Sequence, residues 1–335
     1  MKTDKYTVSG LFNTPRRYLI PLFQRGYVWK REPEWGTLWR DIVDRAEAVS
    51  AAGEQPQARA RLPRKHFLGA LVLQNNPVPL RRAPTSDVID GQQRLTTLQI
   101  FLLAFRAVIR EEPTDRHAFV RSELERLTQN TGAFASEEDR HKIWPTNAFR
   151  EVFAQLALAE DLSAVGNAFP ASIHRRQVQP RSPLVDAFYY FGAMIRTYLS
   201  ISTRGAALRI PGLNTEAIRV FAQHADEIEG AEFRLDYRPE TQIHNLHREW
   251  NAASLSLDEA QTESLFHAVT EYMQLVVIDL DHEEDDPQVI FETLNGRGVP
   301  LGASDLVRNF LFLSAARGDQ PVQDLYESYW KPFDE

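Results

Sequence analysis

The run Val88-Ile-Asp-Gly-Gln-Gln-Arg-Leu-Thr-Thr97 puts an acid, a glycine, two amides and a guanidinium next to one another. An apolar, β-like stretch ends at Asp90, and Gly91 permits a tight turn. From Gln92 the period changes: Leu95, Leu98, Ile100, Phe101, Leu102 and Phe105 fall on one face of a helix. Strand, turn and helix N-terminus is a geometry that cradles phosphate, because the first backbone N–H groups of a helix lack partners and point outward. Arg94 adds a fixed positive charge. Asp90 could hold Mg²⁺ or orient a water, or it could simply cap the helix. A cap alone does not call for two glutamines and an arginine in succession, which favours function here. The pattern is not a P-loop, since no Gly-Lys-Ser/Thr follows.

Two other segments have chemical content. Ile20-Pro-Leu-Phe-Gln-Arg-Gly-Tyr-Val-Trp29 gathers Gln24, Arg25, Tyr27 and Trp29, a planar cation beside stacking rings. Such a cluster could hold a base or a backbone. Composition alone favours the plainer alternative, a strand entering a turn with its aromatics in the core. Phe291 to Phe310 contains Asn295-Gly-Arg-Gly298, which reads as a helix stop with a glycine-rich turn, then Ser304 as the cap of a following helix. Asn295, Arg297 and Asn309 could reach a nucleotide, and a purely structural turn accounts for the spacing equally well.

Elements that would position these residues follow from the hydrophobic pattern. Short strands are expected in Tyr6–Leu11 and Tyr18–Leu22, a buried strand in Phe67–Gln74, a strand end at Asp87–Asp90 and another buried strand at Leu275–Leu280. Helical spacing covers Trp35–Val49, Asp115–Gln129, Asn147–Glu160, Pro183–Ser200, Thr215–His224 and Ser256–Tyr272. Helices are also expected at Gln288–Leu294 and Ser304–Ala316. Asp161–Arg181 and Asp236–Leu255 read as loops, with strand character around Glu232–Leu235. Strands gathered early and helices late give an α+β chain. Residues 1–112 form a small core, and 113–335 a mainly helical region that returns the strand 275–280.

Charge is divided in the same way. Over 335 residues, 38 basic and 46 acidic side chains give a net charge of −8. Residues 1–110 hold 18 basic and 9 acidic, net +9; residues 111–335 hold 20 and 37, net −17. From Arg59 to Arg82 six basic residues, Arg64 and Lys65 among them, occur with no acid. Such a block suits phosphate contacts, although a charge run is more often a solvated face. The acid-rich Asp279–Asp286 stretch reads as a solvated loop, and the nine histidines are scattered.

Cysteine is absent, which excludes disulfides, thiolate zinc sites and cysteine nucleophiles, and fits a cytoplasmic setting. No secretory signal and no run of about 18 apolar residues occurs, so no membrane partner is expected. Neither H-E-x-x-H nor G-x-S-x-G is found.

Taken together, Ile20–Trp29, His66-Phe-Leu-Gly-Ala-Leu-Val-Leu73, Val88–Leu98 and Phe291–Leu301 resemble, in order and spacing, the GmrSD-type restriction endonuclease N-terminal domain family. The resemblance covers nearly the whole chain and is weakest from Asp161 to Leu255. It implies a ParB/sulfiredoxin-like mixed-sheet core, to which the Asn-Gly-Arg-Gly motif would return. It also implies an anti-phage function in which an NTP (GTP or ATP) is hydrolysed with Mg²⁺ when modified double-stranded DNA is met. The subgroup resembled most senses phosphorothioated DNA.

Carried over by position, Asp90, Gln92, Gln93 and Arg94 are the expected catalytic residues, with Asp90 also the metal ligand. Gly91, Arg25, Asn295, Arg297 and Asn309 would bind the nucleotide. Gln24, Arg25, Tyr27, Trp29, Arg64 and Lys65 would face the DNA. Many members carry a C-terminal HNH nuclease domain. No such signature follows residue 310, so cutting would fall to a further domain or a separate nuclease subunit, and the chain is expected to be part of something longer. A homo-oligomer is compatible with this family. A binding module without catalysis and a ParB-like nuclease acting directly are the alternatives.

Overall fold

The computed structural model describes residues 1–21, 24–54, 64–78, 80–112, 115–132, 134, 136–169, 173–174, 177–178, 182–199 and 257–281, then 285, 287, 289–290, 307–308, 311–312, 314–315, 318 and 320–330. Expected elements between 200 and 256 and around Asn295–Gly298 lie outside the described residues.

A mixed six-stranded sheet stands at the centre, with α3 on one face and helical Ile290 packed against Val72, Ile89 and Leu280 on the other, so the chain is α+β. Strand β1 is Lys2–Thr7 and β2 is Arg17–Leu19. Strand β3 is His66–Asn75, β4 is Thr85–Asp90 and β5 is Ile143–Trp144. Two-residue strands β6 (Ile173–His174) and β7 (Gln177–Val178) pair apart from this sheet, and β8 is Met273–Leu280. The order across the sheet is β1-β8-β3-β4-β2-β5. Strands β2, β4 and β5 run parallel to one another, and β3 lies antiparallel to β4. Strand β8 inserts between β1 and β3, antiparallel to the first and parallel to the second.

The buried strand expected at 275–280 is therefore an interior strand. Its alternation buries Met273, Leu275 and Val277 on the helix side.

Helix α1 is Val8–Phe12, α2 Gly36–Glu54, α3 Gln92–Glu111, α4 Ala118–Thr128 and α5 Asn147–Leu158. Helix α6 is Leu162–Ala168, α7 Pro183–Leu199 and α8 Glu259–His267. Helix α3 is the hub. Every residue from Leu95 to Ile109 is buried, because α4, α7 and the sheet enclose it on all sides. One cost of that burial is Arg106, which is 1% exposed. Its guanidinium donates to Thr128 Oγ1 at 2.8 Å and to the Ala157 carbonyl at 2.5 Å. Burial pushes its pKa down to about 10, and the bonds to α4 and α5 compensate. A single apolar cluster draws on both sides of residue 112, from Val8 through Phe105 to Phe191 and Leu265.

Three sequence expectations need correction. Residues 8–11 are helix rather than strand, because the Thr7 side chain caps α1 by accepting from Gly10 N at 3.1 Å. The segment read as loop from Asp161 contains α6, whose start is fixed by Asp161 accepting from Ala164 N at 2.6 Å. The helix read through Tyr272 is α-helical only to His267 and continues as a π-helical turn, Ala268–Tyr272.

The sheet edge near β2 is locked by a buried ion cluster. Asp139, fully buried, accepts from Arg17 Nη1 at 3.1 Å and from Arg82 Nε at 2.6 Å. Burial alone would raise the Asp139 pKa, but Arg82 and Arg17 outweigh it and hold the carboxyl below the ordinary carboxylate range. A depressed folded-state pKa gives stability that is present above the unfolded value, about 3.9, and is lost as pH falls through the lower folded value. Asp139→Asn should therefore cost on the order of 3 kcal/mol near neutral pH, with a shrinking difference from wild type below about pH 4. Urea denaturation of both proteins from pH 3 to 7 checks this.

Candidate functional site

Strand β4, the turn at Gly91 and the first turn of α3 take up the strand–turn–helix arrangement expected of Asp90–Arg94. Gly91 has φ 90° and ψ 11°, the left-handed region. A Cβ there would stand 2.9 Å from the Ala70 carbonyl oxygen and 3.1 Å from Leu71 Cδ1. Both conformation and space demand glycine. Gly91 occupies the N-cap position, and among the described residues no side-chain cap hydrogen bond is made there. Asp90 is thus not the helix cap. The first helical bond is Leu95 N to Gly91 O at 3.0 Å, so the N–H groups of Gln92, Gln93 and Arg94 have no partner within the helix. Their partial positive charge adds to that of the helix end.

Arg94 is held from the opposite side by β3. Its Nη1 donates to the Ala70 carbonyl at 2.6 Å, and its guanidinium lies against Gly69. A Cβ on Gly69 (φ +117°) would come within 2.8 Å of Arg94 Cζ. Gly69 sits where the β3–β8 register shifts, between Phe67 and Gly69, so a bulge makes the berth for this arginine. Burial lowers the Arg94 pKa and the nearby Asp90 carboxylate partly restores it; the group stays cationic at neutral pH.

The two glutamines face the other way, toward the segment Gln24–Trp29. Gln92 Nε2 donates to the Arg25 carbonyl at 3.0 Å. Gln93 Nε2 donates to the Gly26 carbonyl at 2.9 Å, and its Oε1 accepts from Val28 N at 2.9 Å. Gln24 is buried and donates to the carbonyls of Val88 and Ile89, the last residues of β4 before Asp90. Tyr27 is buried too. Its hydroxyl accepts from Trp35 Nε1 at 2.8 Å and meets Thr97 Oγ1 at 2.7 Å, while Thr97 donates to the Gln93 carbonyl at 2.7 Å. Because the Thr97 proton is spent on Gln93, the Tyr27 proton goes to Thr97. Burial raises the Tyr27 pKa, with Thr97 and Trp35 pulling it partly back. Trp29 packs against the core.

Asp90, Gly91, Gln92, Gln93, Arg94, Gln24, Arg25 and Tyr27 therefore converge, and Arg25 borders a nearly filled cleft with Gln92 and Gln93. Arg64 and Lys65 do not join them. Both are exposed and precede β3. Since Val72 lies opposite Asp90, the start of β3 at His66 is about 20 Å along the strand from that level. Asn295, Arg297 and Asn309 lie outside the described residues.

Two features escaped the sequence reading. Gly69 carried a signal, an isolated glycine in an apolar strand run, which often marks a bulge or close approach. The other is a cavity of about 560 Å³ on the sheet face away from α3, bordered by Arg17, Asp87, Trp144, Arg150 and Phe312. Arg17 and Arg150 place their guanidinium carbons 5.1 and 5.6 Å from the Trp144 ring centroid. Nothing in the local spacing joins residues so far apart in the chain.

Among the described residues no three His, Asp or Glu side chains cluster as metal ligands. Asp90 is a lone carboxylate, which suits Mg²⁺ only in its usual phosphate-assisted mode, with substrate oxygens and waters completing the shell.

The model of one protein family, described as GmrSD restriction endonuclease, N-terminal domain, matches residues 8–312. No curated protein matches the chain. Among the described residues no helix is long and apolar enough to cross a membrane.

Gly69→Ala should destabilise the protein by about 1–3 kcal/mol, through left-handed strain and displacement of Arg94. Thermal melting measures the loss, and retention of the wild-type midpoint would contradict the proposed berth.

Proposed function

The chain belongs to the GmrSD restriction endonuclease N-terminal domain family, and from that premise we propose that it is the NTP-hydrolysing, DNA-sensing module of an anti-phage restriction system. The supporting observation is the uncapped N-terminus of α3, walled by Asp90 on the β4 side and Arg94 on the β3 side. Phosphoryl transfer needs little covalent help from a protein; it needs fixed positive charge and position. Arg94, already immobilised on Ala70, supplies both without reorganising. The first-turn N–H groups receive phosphate oxygens. Asp90 holds the attacking water or, with the substrate, Mg²⁺. When bound, the ion would neutralise charge on the phosphate oxygens.

Within Gln24–Val28, Arg25 and Val28 are the DNA-facing residues in this proposal, since Gln24 and Tyr27 are buried. Val28 is 45% exposed and follows closely on the half-buried Arg25. An apolar surface beside a cation suits a phosphorothioate, in which sulfur is larger and less strongly hydrated than oxygen, and phosphorothioated duplex is the modified DNA we put first. The basic first third of the chain, net +9 through residue 110, favours the same partner.

One observation keeps a binding module without catalysis in view: the amides of Gln92 and Gln93 are already engaged by loop backbone. Phosphate release from ATP and GTP, with and without phosphorothioated duplex, separates the two. The enzyme turns over faster with the modified DNA; the binder holds nucleotide and releases no phosphate. Arg94→Ala should lower stimulated hydrolysis by about 100-fold or more with the circular dichroism spectrum unchanged. Unchanged turnover in that variant would remove Arg94 from the chemistry.

A further inference from the structure

We infer, on the basis of the NTPase proposal, that Gln92 and Gln93 are positioning residues through which DNA contact at Arg25–Val28 is coupled to hydrolysis at Asp90–Arg94. Gln93 is 8% exposed, and both ends of its amide are used, Nε2 on the Gly26 carbonyl and Oε1 on Val28 N–H. Gln92 is tied to the Arg25 carbonyl. Neither side chain is thereby directed at substrate. Both stand on the first turn of α3, the turn whose N–H groups form the phosphate cradle.

The same segment grips the turn at three further points. Gln24 holds the Val88 and Ile89 carbonyls immediately before Asp90. Behind it, Trp35, Tyr27 and Thr97 form a chain of hydrogen bonds that ends on the Gln93 carbonyl. Residues 24–28 thus touch both walls of the turn, the end of β4 and the start of α3. A ligand that shifts this short segment must move Asp90 relative to Arg94 or break these bonds. Since Arg94 is anchored independently to β3, displacement of the segment changes the spacing between the acid and the arginine. That spacing is what hydrolysis reads.

Coupling of this kind is reciprocal: if DNA favours hydrolysis-competent nucleotide binding, nucleotide must favour DNA binding by the same factor. The test uses the full chain, GTP and ATP, a phosphorothioated duplex and a non-hydrolysable GTP analogue. For Gln93→Ala and the double variant Gln92→Ala/Gln93→Ala, hydrolysis with DNA is compared with each variant's own rate without DNA. Stimulation by DNA should fall by about 10-fold or more, within the range found for linked sites. The analogue should tighten DNA binding by the wild type and not by the variants. Gln92→Ala alone, which removes one bond at a half-buried position, substitutes if Gln93→Ala melts out.

Full stimulation in the double variant overturns the inference and leaves the NTPase proposal standing. Equal losses of basal and stimulated rate also overturn it, since they mark a direct catalytic role. A wild-type chain that hydrolyses neither nucleotide, with or without DNA, removes the NTPase proposal and the inference together.

Discussion

Gly91 in the left-handed region sets the geometry that the rest of the site uses. It turns the chain sharply enough for α3 to begin one residue after β4 ends, and it does so against the carbonyl of Ala70 with no room for a side chain. With glycine in the cap position, no cap side chain occupies the first-turn N–H groups of the helix. The flanking residues then fall to opposite sides: Arg94 back onto β3, Gln92 and Gln93 forward onto Arg25–Val28. A larger residue at 91 would shift all three interactions at once. For this reason the three consecutive side chains of Gln92, Gln93 and Arg94 behave as one unit.

The fold supplies the rigidity that such a turn requires. Helix α3 runs from the turn into the centre of the molecule, and its buried length is held by packing on all sides and by Arg106 bridging to α4 and α5. Strand β4 is flanked on both edges, by β3 and by β2. The segment Gln24–Trp29 is fastened to that frame by side-chain amides and a tyrosine hydroxyl as well as by the buried ring of Tyr27. Hydrogen bonds of this kind contribute about 1 kcal/mol each, so in the proposed coupling these polar ties are the ones a ligand would exchange.

Much of this was legible in the sequence where the signal is local. The change of period at Gln92 located α3 to the residue, because a turn glycine separates an apolar run from a helical one. The run Leu275–Leu280 announced an interior strand because apolar residues there lack a polar face. What could not be read is where side chains go after the backbone is placed. Gln24 and Tyr27 have the composition of a recognition segment, yet the structure directs both inward, onto β4 carbonyls and Thr97. Gln92 and Gln93 read as chemistry and are engaged by loop backbone. In each case the partner lies some 65 to 70 residues away, beyond the reach of periodicity or spacing. Thr7 and Asp161 show a smaller version: each caps a helix where alternation or composition pointed to strand or loop.

Strand β1 has, among the described residues, a single neighbour in the sheet, β8, with Lys2 opposite Asp279. During synthesis it emerges from the ribosome long before the strand it needs. At about 5–20 residues per second the wait is on the order of tens of seconds. Strand β3 waits for the same partner on one edge, though β4 can cover the other early. Closure of the sheet therefore waits for β8, and until then two edges lie open to wrong pairing, a hazard that grows with sequence separation. Lys2, Asp4 and Lys5 on the leading strand put charge where an unpaired edge most needs protection.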